Sequence, residues 1–371
     1  MTRAAAVLAA LALALSACGS SHDAVPPQTW RTVATPALPG TSLLAGVSCV
    51  SPSFCVGVGS HLQRLVSHTL VERWDGRSWS VMPTSDAQDE RSALTGVSCV
   101  SASFCIAVGS HFSSGGSHGL AEMWNGRAWR VTAGGDPASL NVLSGVSCSS
   151  ASFCVAVGTT RGGAPRPFVQ IWDGLRWSTA GSRDAGSLAG ISCLSTSFCV
   201  AVGQRSTNAI VSPFAESFDG GRWRSERSPR AGTFSNLTGV SCATADWCIA
   251  VGGHLHGQGS RTLVLRREDT WSLRPSPSRS FISSFASVSC VAETACVTVG
   301  AQRGDAANRT LVAGWDGSAW TIAASPDPGA TSVLTSVSCV RAGGHVSCVA
   351  VGSSGPVFGL GGKALVLHAS S

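Results

Sequence analysis

The feature that most limits what this chain can fold into is a unit written seven times: an apolar run ending in Ser-Cys, a short gap, a second Cys, and then Val-Ala-Val-Gly or a close variant. The first cysteines stand at 49, 99, 148, 193, 242, 290 and 339, so the period runs from 45 to 50 residues. That is the length of one four-stranded blade in a radial array, and self-similarity at this spacing predicts a propeller.

One unit, read in detail, supplies the four strands. Leu94–Cys99 and Phe104–Gly109 are β-branched runs joined by a gap short enough for a hairpin. Leu120–Trp124 alternates as a third strand, Asn125-Gly126 makes a turn, and Ala128–Val131 opens a fourth. Trp74/Trp79, Trp124/Trp129, Trp172/Trp177 and Trp315/Trp320 stand five apart across such turns, close enough to pair across the last hairpin. Phe218/Trp223 repeats the device with a smaller ring. In the fifth unit Arg266 stands where the first Trp is expected and the Asp-Gly is missing, which predicts a looser outer edge there.

The two ends define how the array closes. Trp30 precedes Cys49 by the same 19 residues that separate Trp271 from Cys290, yet nothing ahead of Trp30 reads as the other strands of its blade. Ala364–His368 reads as the third strand of the last blade, and the chain stops where the fourth belongs. The expected fold is therefore all-β, a seven-bladed β-propeller over residues 29–371 closed by pairing of the N-terminal and C-terminal strands, which removes the open sheet edges.

Fourteen cysteines lie inside the repeat, paired as Cys49/Cys55, Cys99/Cys105, Cys148/Cys154, Cys193/Cys199, Cys242/Cys248, Cys290/Cys296 and Cys339/Cys348. An even, regularly spaced set in an exported chain reads as disulfides. Zinc would want two converging pairs with two to four residues inside each. Each bridge closes a small loop and contributes about 2 kcal/mol, so the bridges are expected to harden single hairpins and not to tie the ring together.

The first 17 residues are Ala/Leu-rich, too short to span a bilayer comfortably, and end in small residues, which is the pattern of an export signal. Leu15-Ser16-Ala17-Cys18 resembles the lipobox of bacterial lipoproteins; the resemblance implies cleavage before Cys18, a diacylglycerol on its sulfur, and residues 18–28 as a flexible tether. The expected location is the cell membrane, lipid-anchored and facing outside the cytoplasm. The formal charge of +6 includes Arg3 of the signal, and the remaining basic residues are scattered, which argues against nucleic acid as a partner.

The Trp-Asp at the end of the third strand and the closure of the ring resemble the WD-repeat propellers, without their Gly-His. Kelch propellers are a similar partial match, without their Gly-Gly and Tyr. The whole pattern, Gly-Val-Ser-Cys, then Cys-Val-Ala-Val-Gly, then Trp-Asp-Gly-x-x-Trp, resembles a repeat family of exported actinobacterial proteins. Propellers host unrelated functions, so none follows from these likenesses.

With blade strands lettered A to D, the A–B and C–D turns lie on one face and are nearly identical in every unit. The B–C loops on the other face keep nearly the same length and change their residues, as 60–68, 110–118 and 159–166 show. That is the expected binding face. Its candidate residues are His61, His111 and His254, each two beyond the Gly that ends strand B, with His256, Arg161, Arg205 and Arg303. A metal grip by the histidines, aided by Asp86, Asp136 and Asp184, is disfavoured because blade 5 lies across the ring from blades 1 and 2. No metal and no cofactor is expected. The sevenfold Ser48, Ser98, Ser147, Ser192, Ser241, Ser289 and Ser338 read as structural hydroxyls, since a nucleophile needs one particular base and not seven copies of itself.

These features predict a monomeric, rigid scaffold that binds a protein or a glycan. The competing function is a carbohydrate-active enzyme of sialidase or lyase kind on the same face. It would need Arg64, Arg161, Arg166, Arg205, Arg261 and Arg303 to converge with carboxylates over the channel, and there is no Tyr in the chain.

Overall fold

Opposed cysteines set the register of every blade. A computed structural model describes residues 29–85, 91–113, 115–132, 140–181, 184–356 and 361–370; the signal and Cys18 fall outside these residues. In blade 1 the strands are A (Thr41–Ser51), B (Phe54–Gln63), C (Val66–Trp74) and D (Trp79–Val81). Cys49 lies opposite Cys55, Cys55 opposite Trp74, and Trp74 opposite Trp79.

Every one of the seven pairs is bridged. Disulfides join Cys49 to Cys55, Cys99 to Cys105, Cys148 to Cys154, Cys193 to Cys199, Cys242 to Cys248, Cys290 to Cys296 and Cys339 to Cys348, with Cα atoms 3.9 to 4.1 Å apart. Each bridge stays within its own hairpin, and the second cysteine of each pair also packs against the neighbouring blade. Cys105 packs against Val56 and Val58 of the preceding blade, Cys154 against Ile106 and Val108, and Cys199 against Val155 and Val157. Cys248 meets Val200 and Val202 in the same way, Cys296 meets Ile249 and Val251, Cys348 meets Val297 and Val299, and Cys55 meets Val349 and Val351. All seven of these cysteines are buried, since strand B turns their side chains into the seam. A bridged sulfur is apolar, so it serves as core between blades as well as a staple within one. These cysteines are packing groups, remote from the loop face.

The sheets are seven, each of four antiparallel strands. The last takes three from the C-terminal end, Thr331–Ala342, His345–Gly355 and Lys363–Ser370, and its fourth from Arg31–Thr32. Arg31 pairs with His368 and Thr32 with Leu367, so the ring is closed by its two ends. Trp30 packs into the same cluster as Leu365 and Leu367 and is 5% exposed.

Between blades, alternate residues of strands B and C meet the next sheet. Val56, Val58 and Val71 of blade 1 pack on Leu94, Ala107, Leu120 and Trp124 of blade 2, and the other interfaces repeat this pattern. Full burial of each such aliphatic side chain contributes about 1.5–3 kcal/mol, which makes these seams the main source of stability.

At the hub the repeated serines form a ring of their own. Ser48 Oγ accepts from the backbone N–H of Cys99 at 3.0 Å, Ser98 from Cys148 at 3.0 Å, Ser147 from Cys193 at 2.9 Å and Ser192 from Cys242 at 3.1 Å. Ser241 accepts from Cys290, Ser289 from Cys339, and Ser338 from Cys49, each at 3.0 Å. Opposed cysteines of this kind do not exchange backbone hydrogen bonds with each other, so the N–H of the first Cys points away from strand B and is free for the neighbouring blade. Disulfides lock each hairpin, and serines join one blade to the next.

Close approach at the hub also explains the Gly of Gly-Val-Ser-Cys. A Cβ at Gly46 would lie 3.0 Å from the Cα of Gly96, and one at Gly190 3.0 Å from the Cα of Gly239. Strands A thus enclose a channel of about 200 Å³. At the rim, Asp75 Oδ1 accepts from the N–H groups of Arg77 and Ser78, both at 2.8 Å, while Gly76 takes φ +96°. These backbone bonds hold the Asp75 carboxyl below its usual range.

Blade 5 departs from the expectation in two ways. The register puts Arg267, not Arg266, opposite Cys248 in the Trp position, because the C–D turn is one residue shorter. The edge is also firmly held. Arg267 donates from Nε and Nη2 to Glu226 and from Nη1 to the Ala245 carbonyl, and the Trp271 indole donates to Glu226 at 2.6 Å. The bond to Ala245 replaces the one that the Trp74 indole makes to Pro52.

Candidate functional site

The hub and the turn face are filled by the groups just described, whereas the B–C/D–A face opens into a cleft. The cleft holds about 580 Å³ where blades 3, 4 and 5 meet above the channel. Its wall combines the blade 3 hairpin from Thr159 to Gly163, Ser187 and Gln204 of blade 4, and Asn236 and Thr238 of blade 5. Arg161 is fixed from its own backbone, where its N–H donates to the Leu140 carbonyl at 2.7 Å. Ser187 faces Gln204 across strands A and B, and Asn236 faces Gly253. These side chains therefore stand on paired strands, and polar and apolar groups share the lining of the cleft, Val142 among the latter.

Of the residues singled out in the sequence, only Arg161 lines this cleft. His61 lies opposite His68 on its hairpin and hydrogen-bonds the Pro39 carbonyl through Nε2. His111 lies opposite His118, with ring centroids 5.5 Å apart. Arg205 lays its guanidinium over the Phe214 ring at 4.6 Å. His254 faces Arg261, and its ring is 6.3 Å from that of His256. Burial, and then the charges of His256 and Arg261, depress the His254 pKa. Arg303 ties its hairpin to the next loop, its N–H donating to the Ile282 carbonyl and its own carbonyl accepting from Ser280 Oγ.

Among the described residues no group of three His, Cys, Asp or Glu side chains comes together as a metal set. Asp184 accepts from Ser225 Oγ, whereas Asp86 and Asp136 lie outside the described residues. Gln204, Asn236 and Ser187 carry no mark in the sequence. Each sits at an ordinary position of its repeat, and only the assembled ring shows that three blades bring them to one wall.

Ionisable groups also lie deep inside the blades. Strand C carries Glu72 in blade 1, Glu122 in blade 2, Gln170 in blade 3 and Glu216 in blade 4, all buried at one repeat position. Blades 5 to 7 have Leu265, Ala313 and Leu367 there. Glu72 lies between Leu70 and Trp74 on the side of strand C that packs against blade 7. Burial pushes its carboxyl up to about 7. On the other side of that seam, His368 Nε2 accepts from the Trp79 indole at 3.3 Å, which favours the neutral ring; burial holds its pKa down to about 4.

No protein-family model matches the chain, and no curated protein matches it by sequence. Solved structures do match in shape. YCF48 bound to D1 peptide superposes with a TM-score of 0.55 at 14% identity, covering 92% of this chain and 95% of that one. YCF48 from Cyanidioschyzon merolae gives 0.53 at 14% identity, over 92% and 98%. The SapL1 lectin in complex with alpha methyl fucoside gives 0.50 at 12% identity, over 76% and 96%. At such identities the likeness is one of fold, and the chain is a seven-bladed β-propeller with a disulfide in every blade.

Proposed function

We propose that this protein is an exported, lipid-anchored binding scaffold, held at the membrane through Cys18 and a tether over residues 18–28, and that it takes its ligand in the cleft of blades 3 to 5. The single observation that carries the binding role is the position of that cleft: it lies on the one face whose loops vary from blade to blade. The composition of its wall favours binding over hydrolysis. Arg161 is the charged side chain there, and no carboxylate or imidazole stands beside it among the described residues. General acid–base chemistry needs such a group within hydrogen-bond reach of the reacting atom. Proteins of this fold include one solved with a bound peptide and one solved with a bound sugar, so either kind of ligand suits the architecture.

Photo-crosslinking in intact cells tests the reading. A benzophenone side chain at Gln204 is expected to trap a discrete partner or glycan, and the same group at Ser53 on the turn face is expected to trap none. Equal trapping from both positions would count against the cleft. Metabolic labelling with a palmitate analogue tests the anchor, with label expected on the wild type and lost in Cys18→Ser.

A further inference from the structure

Blades 4 to 6 carry a second feature on the same face, a belt in which loop ends and hairpin tips are hydrogen-bonded side by side. Val211 of the blade 4 hairpin donates to the Thr233 carbonyl, Leu255 of the blade 5 hairpin to Phe234 at 2.8 Å, and Ser260 to Phe281 at 3.1 Å. The Arg303 N–H then joins Ile282 to the blade 6 hairpin at 2.7 Å. The belt displays four large apolar side chains, Phe234, Leu255, Phe281 and Ile282, each between 41% and 63% exposed. Exposed apolar groups gathered in this way, and rimmed by charge, mark an interaction surface.

The rim has one sign. Segments 204–213, 227–235, 253–262, 275–284 and 301–310 contain seven arginines against one carboxylate, Asp305. Arg230, Arg261, Arg279 and Arg303 are exposed, and the ion pairs of the described residues involve other arginines. The matching segments of blades 1 and 2, 60–69, 82–91, 110–119 and 133–141, reverse the balance in sequence, with Arg64 and Arg91 against Asp86, Asp89, Glu90 and Asp136. Over blades 4 to 6 the face is therefore basic and apolar.

We propose that this belt docks an acidic polypeptide segment bearing large apolar side chains, a proposal that rests on the variable face being the binding face and names the class of its partner. Two observations favour a polypeptide. Apolar groups and exposed arginines share the same hairpins and loops, Leu255 with Arg261, and Phe281 and Ile282 with Arg279, which suits a chain that carries carboxylates as well as apolar side chains. The belt's own N–H and carbonyl groups named above are already bonded to each other, so the partner is held by side chains and not by strand addition.

The test uses the whole mature chain and a fluorescein-labelled peptide of alternating Glu and Leu, followed by anisotropy. Binding is expected, weakening as salt rises toward physiological strength and above. Phe281→Ser combined with Ile282→Ser is expected to weaken it about tenfold, and Arg261→Glu combined with Arg303→Glu by at least as much, with melting temperature unchanged. Should a serine variant fail to fold, Phe281→Trp keeps the test open: its fluorescence is expected to shift on adding peptide. No binding of the Glu-Leu peptide would overturn the proposal. Equal binding of poly-glutamate or a polyuronate would also overturn it, since the apolar groups would then be idle. If Arg161→Ala abolishes binding while the belt variants do not, the cleft reading stands and this inference falls. If Gln204 crosslinks nothing in cells while the belt variants still behave as expected, the cleft reading falls alone.

Discussion

The two faces of this ring are made from the same strands, yet they are written under different rules. On the turn face each blade repeats Ser-Cys and the cross-strand bridge, and blades 1 to 4 and 6 repeat the Asp-Gly or Asn-Gly bend. On the loop face the hairpin tips stay close to one length and share almost nothing else. The turn face and hub carry the groups that every seam needs, such as Ser241 accepting from Cys290 and Gly190 lying against Gly239. The loop face carries groups that no seam needs, such as Phe281 at 63% exposure. Uniformity thus marks where stability resides, and variation marks where the chain is free to specialise.

The separation can be tested by substitutions, and the largest effect is expected at the closing strand. Trp30→Ala should cost about 3–5 kcal/mol, read from the midpoint of urea unfolding, because it empties a buried site between blade 6 and the blade built from both ends of the chain. A loss below about 1 kcal/mol would mean that closure matters less than the other seams.

The two buried ionisable groups at the seam of blades 7 and 1 should give the next largest effect. Glu72 has its folded pKa raised from 4.5 to about 7, so the stability it allows is full below the unfolded value and is lost as pH rises through about 7. His368 has its pKa lowered from 6.5 to about 4, so its contribution is full above the unfolded value and is lost as pH falls toward about 4. Across the shared window the two slopes oppose each other. Glu72→Leu should add about 3 kcal/mol at alkaline pH and expose a stability that climbs between about pH 4 and 6.5. Thermal unfolding across pH measures this, and a Glu72→Leu profile parallel to the wild type would contradict it.

Gly109→Ala comes next, since a Cβ there would run into the Ala93 carbonyl; a loss of about 1–3 kcal/mol is expected with binding intact in whatever remains folded. Ser241→Ala should cost about 1 kcal/mol through the N–H it leaves unmet at Cys290. Smallest of all, Phe112→Ser on the loop face should change stability by less than about 0.5 kcal/mol, since Phe112 is 54% exposed. A large loss there would blur the contrast between the faces.

Much of the fold is readable in the residues themselves. Cysteine spacing defines the blade, and Trp30 with Ala364–His368 defines the closure, because both depend on a local pattern repeated at fixed distance. The second task of Cys105, Cys154 and their equivalents is not readable, since one repeat shows its own hairpin and not the valines of the blade before it. Arg267 is missed by one place, since a turn shortened by one residue slides the register and only strand pairing reveals it. The loose edge expected there proves to be held by Glu226, a residue of the preceding blade whose reach no single repeat displays. The cleft is hidden for the same reason: Gln204 and Asn236 become neighbours of Arg161 only when three blades are set side by side. Glu72, Glu122 and Glu216 stand two residues before the aromatic that ends strand C, and that repeat is visible in the letters, yet burial of a carboxylate is not what a polar letter suggests.

The closing strand is also where a load applied to the head of the chain would enter. Arg31 and Thr32 pair with His368 and Leu367, and Val33 adds one further backbone bond, to Val366 at 2.9 Å. A pull on the head of the chain therefore meets a short zipper whose resistance comes chiefly from one indole wedged in the seam, and the wheel should yield there before any hairpin shears.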